Sequence, residues 1–245
     1  MTLHYGFDSL PKGLRTVVTV GSFDGVHSGH RQLLDHLLAM SGRLSAESVV
    51  VTFEPHPRIA MGRAEGMRLL TSVEERALLL GRYGVDRVVV AHFDERFRSQ
   101  SYKEFVRGSL VERLGMVGMV VGYNHRLGRE NEGNYDSLLP LSSELGFALQ
   151  RVEQYTDSGD KVSSTVVRRL LEEGSVERAR EIMGHAYIIA GRLQDGRLHI
   201  EDEFKLLPAD GEYDAMVDGV PRCVVISGRE LIVENVIDKD IIVEL

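Results

Sequence analysis

The first three-quarters of the chain alternates two hydrophobic periodicities. Short β-branched runs bounded by turn residues recur at Thr16 to Val20, Ser48 to Phe53, Asp86 to Ala91, Met116 to Val121 and Phe147 to Val152. Such runs predict strands buried on both faces. Helical periodicity fills the gaps: Leu33, Leu34, Leu37 and Leu38 form one apolar face, with Gly42 where a C-terminal cap is expected. Ser72 with Glu75, and Ser101 with Glu104, are S-x-x-E capping boxes that open two further helices, which Gly84 and Gly115 close. Strand and helix alternating in this way predict a doubly wound α/β domain on a parallel sheet.

After Asp160 the pattern changes. Ser163 to Glu173 and Ser175 to Met183 read as short helices stopped by Gly174 and Gly184. From Tyr187 onward only strands and turns are expected, with Asp195-Gly196 and Asp218-Gly219 as hairpin signals. Segments such as Arg222 to Ile226 and Glu230 to Val233 alternate as strands do. The expected organisation is a Rossmann-like domain over residues 1–184 and a small all-β domain over 185–245. A β unit of roughly 60 residues is marginal alone and is expected to pack on the first.

Composition narrows the class. The 245 residues include 29 basic and 37 acidic side chains, a formal net charge of −8, which argues against a nucleic-acid-binding surface. It leaves room for a local anion site built from backbone N–H groups. No apolar run reaches the length of a membrane span, and the first residues lack the pattern of a secretory signal. One cysteine, Cys223, precludes an internal disulfide and a thiolate metal cluster. The expectation is a cytoplasmic protein acting on small molecules.

Candidate chemistry concentrates in Gly21-Ser22-Phe23-Asp24-Gly25-Val26-His27-Ser28-Gly29-His30, directly after the first long strand and leading into a helix. In open parallel sheets ligands bind beyond the carboxyl ends of strands. Glycines there admit a phosphate to the backbone, and a helix N-terminus supplies donors and positive potential. His27 and His30, three apart, project to one side and suit an oxyanion that grows in a phosphoryl-type transition state. A metal pair is the weaker reading, because no H-E-x-x-H and no third ligand accompany them. A second cluster, Ser163, Ser164 and Thr165, places three hydroxyls at a helix start. Arg168 lies one turn in, where a guanidinium can grip a polyphosphate.

The first string resembles the HxGH signature of nucleotidyltransferases. More closely it is similar to the G-x-F-D-G-x-H-x-G-H form of prokaryotic bifunctional riboflavin kinase/FMN adenylyltransferases, the FAD synthetases. Further segments follow in the family's order. Val51-Thr52-Phe53-Glu54-Pro55-His56-Pro57-Arg58 resembles T-F-x-P-H-P, and Leu69-Leu70-Thr71-Ser72 resembles L-T-S. Phe93-Asp94-Glu95-Arg96-Phe97 with Glu104-Phe105 is similar to F-D-x-x-F…E-F. Val121 to Gly128 resembles V-G-x-N-F-x-F-G, and Val162 to Arg168 resembles I-S-S-T-x-x-R. Gly174, Ala179 and Met183 to Tyr187 keep the spacing that follows in the family.

The resemblance, over residues 14–193, implies FMN adenylylation with ATP and Mg²⁺. It implies catalytic roles for His27, His30 and Arg168. ATP contacts fall to Gly21, Ser22, Phe23, Gly29, Ser163, Ser164 and Thr165, and flavin contacts to Pro55, His56 and Asn124. Asp24 either places Mg²⁺ or orients its loop. His125 and Leu127 stand where the family has aromatics, which leaves open another phosphorylated acceptor, and the eroded tail leaves open a silent flavin- or nucleotide-binding module. In the family a riboflavin kinase domain follows Tyr187. Here Gly191-Arg192-Leu193 resembles its start and Leu207 to Tyr213 a later strand, yet no P-T-A-N motif occurs. The expected tail is a shortened, degenerate relic without kinase activity.

Overall fold

A computed structural model describes residues 1–63, 65–153, 163–234 and 236–245. The chain divides into two compact units. The first comprises Met1–Phe23, His30–Glu65 and Leu79–Tyr155, the second Asp24–Gly29, Gly66–Leu78 and Thr156–Leu245.

The first unit is a six-stranded parallel sheet in the order β1-β4-β3-β2-β5-β6. Its strands are β1 (Thr2–Tyr5), β2 (Thr16–Val20), β3 (Glu47–Glu54), β4 (Arg87–His92), β5 (Met116–Gly122) and β6 (Ala148–Val152). Every residue of β2 is buried, as a central strand covered on both faces requires. Helix α1 (Ser28–Leu44), the short α2 (Pro57–Ala60), α3 (Val73–Arg82), α4 (Glu95–Ser99), α5 (Tyr102–Glu104) and α6 (Tyr135–Leu145) alternate with these strands. Helix α5 runs on into π-helical turns at Phe105–Arg113. Within the first unit, Phe105, Val106, Leu110, Leu138 and Leu141 pack with Val18, Val49, Val89 and Met119 into one core.

Both capping boxes form: Ser72 N donates to Glu75 Oε2 at 2.8 Å, and Ser101 N to Glu104 Oε2 at 2.8 Å. Two details depart from expectation. Strand β1, a four-residue edge segment pairing with β4, has no periodic signal. Helix α1 passes through Gly42, and the left-handed residue that ends it is Ser45, with φ 47°. The buried Met40 and Ser41 hold the helix in place beyond the point where a glycine would release it.

The second unit is built around a closed six-stranded antiparallel barrel. Its strands are β7 (Ile188–Gln194), β8 (Arg197–His199), β9 (Gly211–Val217), β10 (Val220–Ser227), β11 (Glu230–Ile232) and β12 (Asp240–Glu244). Helices α7 (Ser164–Glu172) and α8 (Val176–Met183) precede it. Asp195-Gly196 (φ 49° and 73°) and Asp218-Gly219 (φ 49° and 78°) take the two left-handed positions of type I′ hairpins. Val167, Leu171, Val176, Ala179 and Met183 share a core with barrel residues Ile189, Leu198, Val224 and Val243. Asp160 and Val162, used above as sequence landmarks, lie outside the described residues.

Candidate active site

The loop after β2 carries backbone strain. Phe23 and the β-branched Val26 both sit at positive φ, 49° and 40°, in a region that bulky side chains avoid. Gly25 between them has φ 79°, and a Cβ there would lie 2.6 Å from Leu70 Cδ1. Strain of this kind persists only where surrounding contacts over-determine it.

In the second unit those contacts converge on Asp24, which is 2% exposed. Its Oδ1 accepts from Leu70 N at 2.9 Å, Thr71 N at 3.0 Å and Thr71 Oγ1 at 3.2 Å. Its Oδ2 accepts from an Arg168 guanidinium nitrogen at 2.6 Å. Arg168 Nε donates to the Arg68 carbonyl at 2.6 Å, so the head of Arg168 is held at two points. Ser164 Oγ donates to the Asp24 carbonyl at 3.1 Å. Ser163 is the N-cap residue of α7 in extended backbone, and its side chain makes no capping bond. Thr165 is exposed in the first turn of α7. Asp24, Ser164 and Arg168, singled out from two distant motifs, therefore meet. Both oxygens of Asp24 accept hydrogen bonds, and the one from Arg168 fixes the guanidinium beside it.

His27 is 7% exposed. Burial pulls its imidazole from 6.5 down to about 4; the Asp24 carboxylate opposes this, while His185 and Arg168 reinforce it. At neutral pH His27 is thus a neutral ring that can donate one N–H. Gly29 is the second residue of α1, and Ser28 beside it donates to the Ile182 carbonyl at 2.7 Å.

In the first unit, Gly21 N donates to the Val51 carbonyl at 3.0 Å, and Thr52 Oγ1 donates to the Ser22 carbonyl at 3.0 Å. The buried Phe23 ring lies 5.1 Å from the His30 ring. A cavity of about 500 Å³ opens at Val20 and Gly21 and is bordered by the loop after β5 at residues 126–131. These are the carboxyl ends of β2 and β5, neighbouring strands where the connections turn to opposite sides of the sheet. Phe53, Phe93, Phe97 and Phe105 wall the cavity, and Phe97 touches the other three rings at centroid distances of 5.2–5.6 Å. Arg63, Arg98, Arg126 and Arg129 supply positive charge around it.

The flavin-side candidates are placed differently. His56 Nδ1 accepts from Arg58 N at 3.2 Å and caps α2, whose first residue is Pro57; the Glu54–Pro55 peptide is cis. Pro57 and Leu127 line the cavity, whereas Pro55, His56 and Asn124 are not among its lining residues. Asn124 is exposed in the turn after β5. His125 is partly buried, and burial followed by the charge of Arg126 lowers its pKa to about 4. None of Phe53, Phe93, Phe97 and Phe105 stands out in the sequence as a wall residue, although all four lie within the family-like segments quoted above.

No group of three or more His, Cys, Asp or Glu side chains suited to a metal ion occurs among the described residues. No helix among them is long and apolar enough to cross a membrane.

Comparison with known proteins bears on the family and the fold. The sequence profile of the FAD synthetase family matches residues 11–166. The bifunctional riboflavin kinase/FMN adenylyltransferase of Escherichia coli K12 is 33% identical over 180 residues, 74% of this chain and 58% of that protein. The enzyme of the same name from Pseudomonas fluorescens is 35% identical over 198 residues, 80% of this chain and 63% of that protein. The chain thus aligns with about three-fifths of the length of these relatives. The crystal structure of a macrolide-efflux protein from Streptococcus pneumoniae superposes with a TM-score of 0.79 over 99% of this chain and 89% of that one. At 20% identity that likeness speaks for the fold alone. A profile that covers well over half the chain and the ordered motifs within it lead to one conclusion: this chain belongs to the FAD synthetase family.

Proposed function

We propose that the chain is an FMN adenylyltransferase, which moves AMP from ATP to FMN to give FAD and pyrophosphate, and that it does not phosphorylate riboflavin. The observation that carries the acceptor assignment is the phenylalanine-walled cavity that opens at Gly21. Flat aromatic ligands favour such walls, and the walls here come from Phe53, Phe93, Phe97 and Phe105. They supply what His125 and Leu127 do not.

In the reaction a phosphate oxygen of FMN attacks the α-phosphorus of ATP in line. The new P–O bond forms as the bond to the β-phosphate bridging oxygen breaks, and pyrophosphate leaves with that electron pair. The attacking oxygen is anionic at neutral pH, so positioning and charge stabilisation carry the rate and no strong base is needed. His27, neutral at that pH, donates a hydrogen bond to the α-phosphate as charge builds, and His30 shares that role. Arg168, fixed by Asp24, takes the β- and γ-phosphates with Ser163, Ser164 and Thr165. Gly21, Ser22, Phe23 and Gly29 border the nucleotide, and Pro55, His56 and Asn124 serve the flavin side. Mg²⁺ enters as part of the substrate, bound by the ATP phosphates. The proposed lack of kinase activity is supported by the missing P-T-A-N motif; Gly191-Arg192-Leu193-Gln194 runs into the tight Asp195-Gly196 hairpin.

The test is to incubate purified protein with ATP, Mg²⁺ and either FMN or riboflavin, then resolve the products by chromatography. FAD from FMN and no product from riboflavin are expected. FMN made from riboflavin refutes the loss of kinase activity. Pyrophosphate release that needs an acceptor other than FMN refutes the acceptor, and binding without turnover refutes catalysis. His30→Ala should reduce turnover far more than ATP affinity.

A further inference from the structure

The second unit contains a charged pair that the reaction above does not use. Lys205, between β8 and β9, and Glu75, in the first turn of α3, are each 2% exposed, with Nζ and Oε2 2.6 Å apart. A buried pair is tolerated only when its remaining hydrogen-bonding positions are filled. Here they are. Lys205 Nζ also donates to the Leu70 carbonyl at 2.8 Å and the Ile188 carbonyl at 3.0 Å, and lies 4.5 Å from the centroid of the Tyr187 ring. Glu75 accepts from Ala190 N at 2.9 Å and Ser72 N at 2.8 Å. Burial pulls the Lys205 ammonium below its ordinary value while the Glu75 carboxylate supports it.

What the pair grips is informative. Leu70 offers its carbonyl to Lys205 and its N–H to Asp24, and Thr71 gives Asp24 two more donors. Asp24 in turn holds Arg168, whose Nε rests on the Arg68 carbonyl. The four residues 68–71 therefore carry Lys205 on one side and both anchors of Arg168 on the other. Backbone bonds from Leu69 N to the Phe204 carbonyl (2.6 Å) and from Leu206 N to the Leu69 carbonyl (2.8 Å) run alongside. An apolar pair of similar volume would stabilise such a junction as well or better, so cohesion alone does not account for the charges. A lysine with three fixed acceptors does something an apolar pair cannot: it sets the position of particular carbonyls.

We propose that Lys205 is a positioning residue for adenylyl transfer. Through Leu70, Thr71 and Asp24 it sets the orientation of the Arg168 guanidinium toward the ATP polyphosphate. The inference rests on the reading of Arg168 as a phosphate ligand, and it ties a residue of the barrel segment to the nucleotide-binding step.

The test uses the full chain with Lys205→Met combined with Glu75→Gln. The Gln keeps an acceptor for one of the two donors, Ser72 N on Oε2 or Ala190 N on Oε1, and leaves no lone buried carboxylate. ATP affinity is measured by calorimetry with Mg²⁺ present, FMN affinity by flavin fluorescence, and folding by a thermal melt. ATP binding should weaken about tenfold or more, with FMN affinity within about twofold of wild type and KM for ATP rising more than kcat falls. In an Arg168→Ala background the same two substitutions should change ATP affinity by less than about twofold, since they act through that residue. A folded variant that binds ATP as tightly as wild type overturns the proposal, and so does a full loss that persists without Arg168. Should the double variant melt near room temperature, Lys205→Arg, which keeps the charge and moves the donors, is held to the same criteria. Wild-type chain that binds ATP yet makes no FAD overturns the acceptor assignment alone. Wild-type chain with no affinity for ATP overturns the nucleotide reading and this inference with it.

Discussion

Asp24→Asn isolates the contact that holds Arg168, the proposed ligand of the ATP phosphates. The substitution conserves shape: the Asn carbonyl oxygen can still accept from Leu70 N and Thr71 N, as Asp24 Oδ1 does at 2.9 and 3.0 Å. It places an NH₂ group against the Arg168 nitrogen that now lies 2.6 Å from Oδ2, so a charge-assisted hydrogen bond becomes two facing donors. Such a bond contributes about 1.5–3 kcal/mol, and breaking a buried pair from one side costs about 3–5 kcal/mol. Arg168 is 16% exposed against 2% for Asp24, so water recovers part of that loss, and about 2–3 kcal/mol is expected. That corresponds to a melting midpoint roughly 4–12 °C lower. Functionally, a guanidinium no longer held at two points should lower kcat/KM for ATP by about 10–100-fold, chiefly through KM. Differential scanning fluorimetry and steady-state FAD formation at saturating FMN measure both. A variant that melts within about a degree of wild type and keeps its kcat/KM for ATP would falsify the assignment of Asp24 as the orienting group.

Three further outcomes follow from other contacts. In the fold His125 has a pKa of about 4 against an ordinary 6.5, so between those values the unfolded chain takes up a proton that the folded chain refuses. The fold is therefore roughly 3 kcal/mol more stable above pH 6.5 than at pH 4, a difference lost on acidification because the buried ring resists charging. Its Nε2 is buried with no hydrogen-bond partner among the described residues. His125→Phe should therefore raise stability at pH 7 by about 1 kcal/mol and flatten the acid limb of a urea-midpoint profile; an unchanged limb refutes the assignment. Gly128→Ala places a Cβ 2.5 Å from Tyr102 N at φ 76°, which must displace the loop beside the cavity. FMN affinity should fall at least about tenfold with ATP affinity intact, read by fluorescence titration. Phe97→Ala removes the ring that touches Phe53, Phe93 and Phe105, and FMN should bind about 10–100-fold more weakly. Equal losses for ATP and FMN would point to unfolding and count against the cavity as the flavin site.

Features written in contiguous residues were legible before the structure. The valine-rich runs became β2 to β5, Phe147 to Val152 gave the less buried β6, and the capping boxes at Ser72 and Ser101 opened helices as expected. The loop from Gly21 to His30 announced itself because glycines and two imidazoles fall within ten residues of a strand end, whereas its strain at Phe23 and Val26 appeared only in the fold. Errors arose where local preference met packing. Gly42 reads as a helix stop, yet α1 continues to Leu44 because Met40 and Ser41 are anchored in the core. Strand β1 contributes four residues at an edge, too few for alternation to register, and only its ladder with β4 reveals it.

The cavity wall and the Lys205 network were illegible for a different reason: both are products of strand order. Phe53 is the penultimate residue of β3 and Phe93 follows β4, forty residues apart in sequence, yet β3 and β4 are paired in register, Phe53 opposite Ala91. Once those strands are neighbours, aromatic residues beyond their carboxyl ends must converge, and Phe97 and Phe105 join them from the next turns. This also explains why aromatics missing at His125 and Leu127 say little about the ligand. A wall supplied by four segments tolerates losing the contribution of a fifth. Lys205 carries the argument further, because a lysine in an acidic stretch, Glu201 to Lys205, reads as solvated. Only the bridge between Leu69 and Lys205 takes it out of water and sets it against Glu75, 130 residues away. Charge patterns along a sequence report on surfaces; a charge that organises a site is recognised by what its neighbours in space hold.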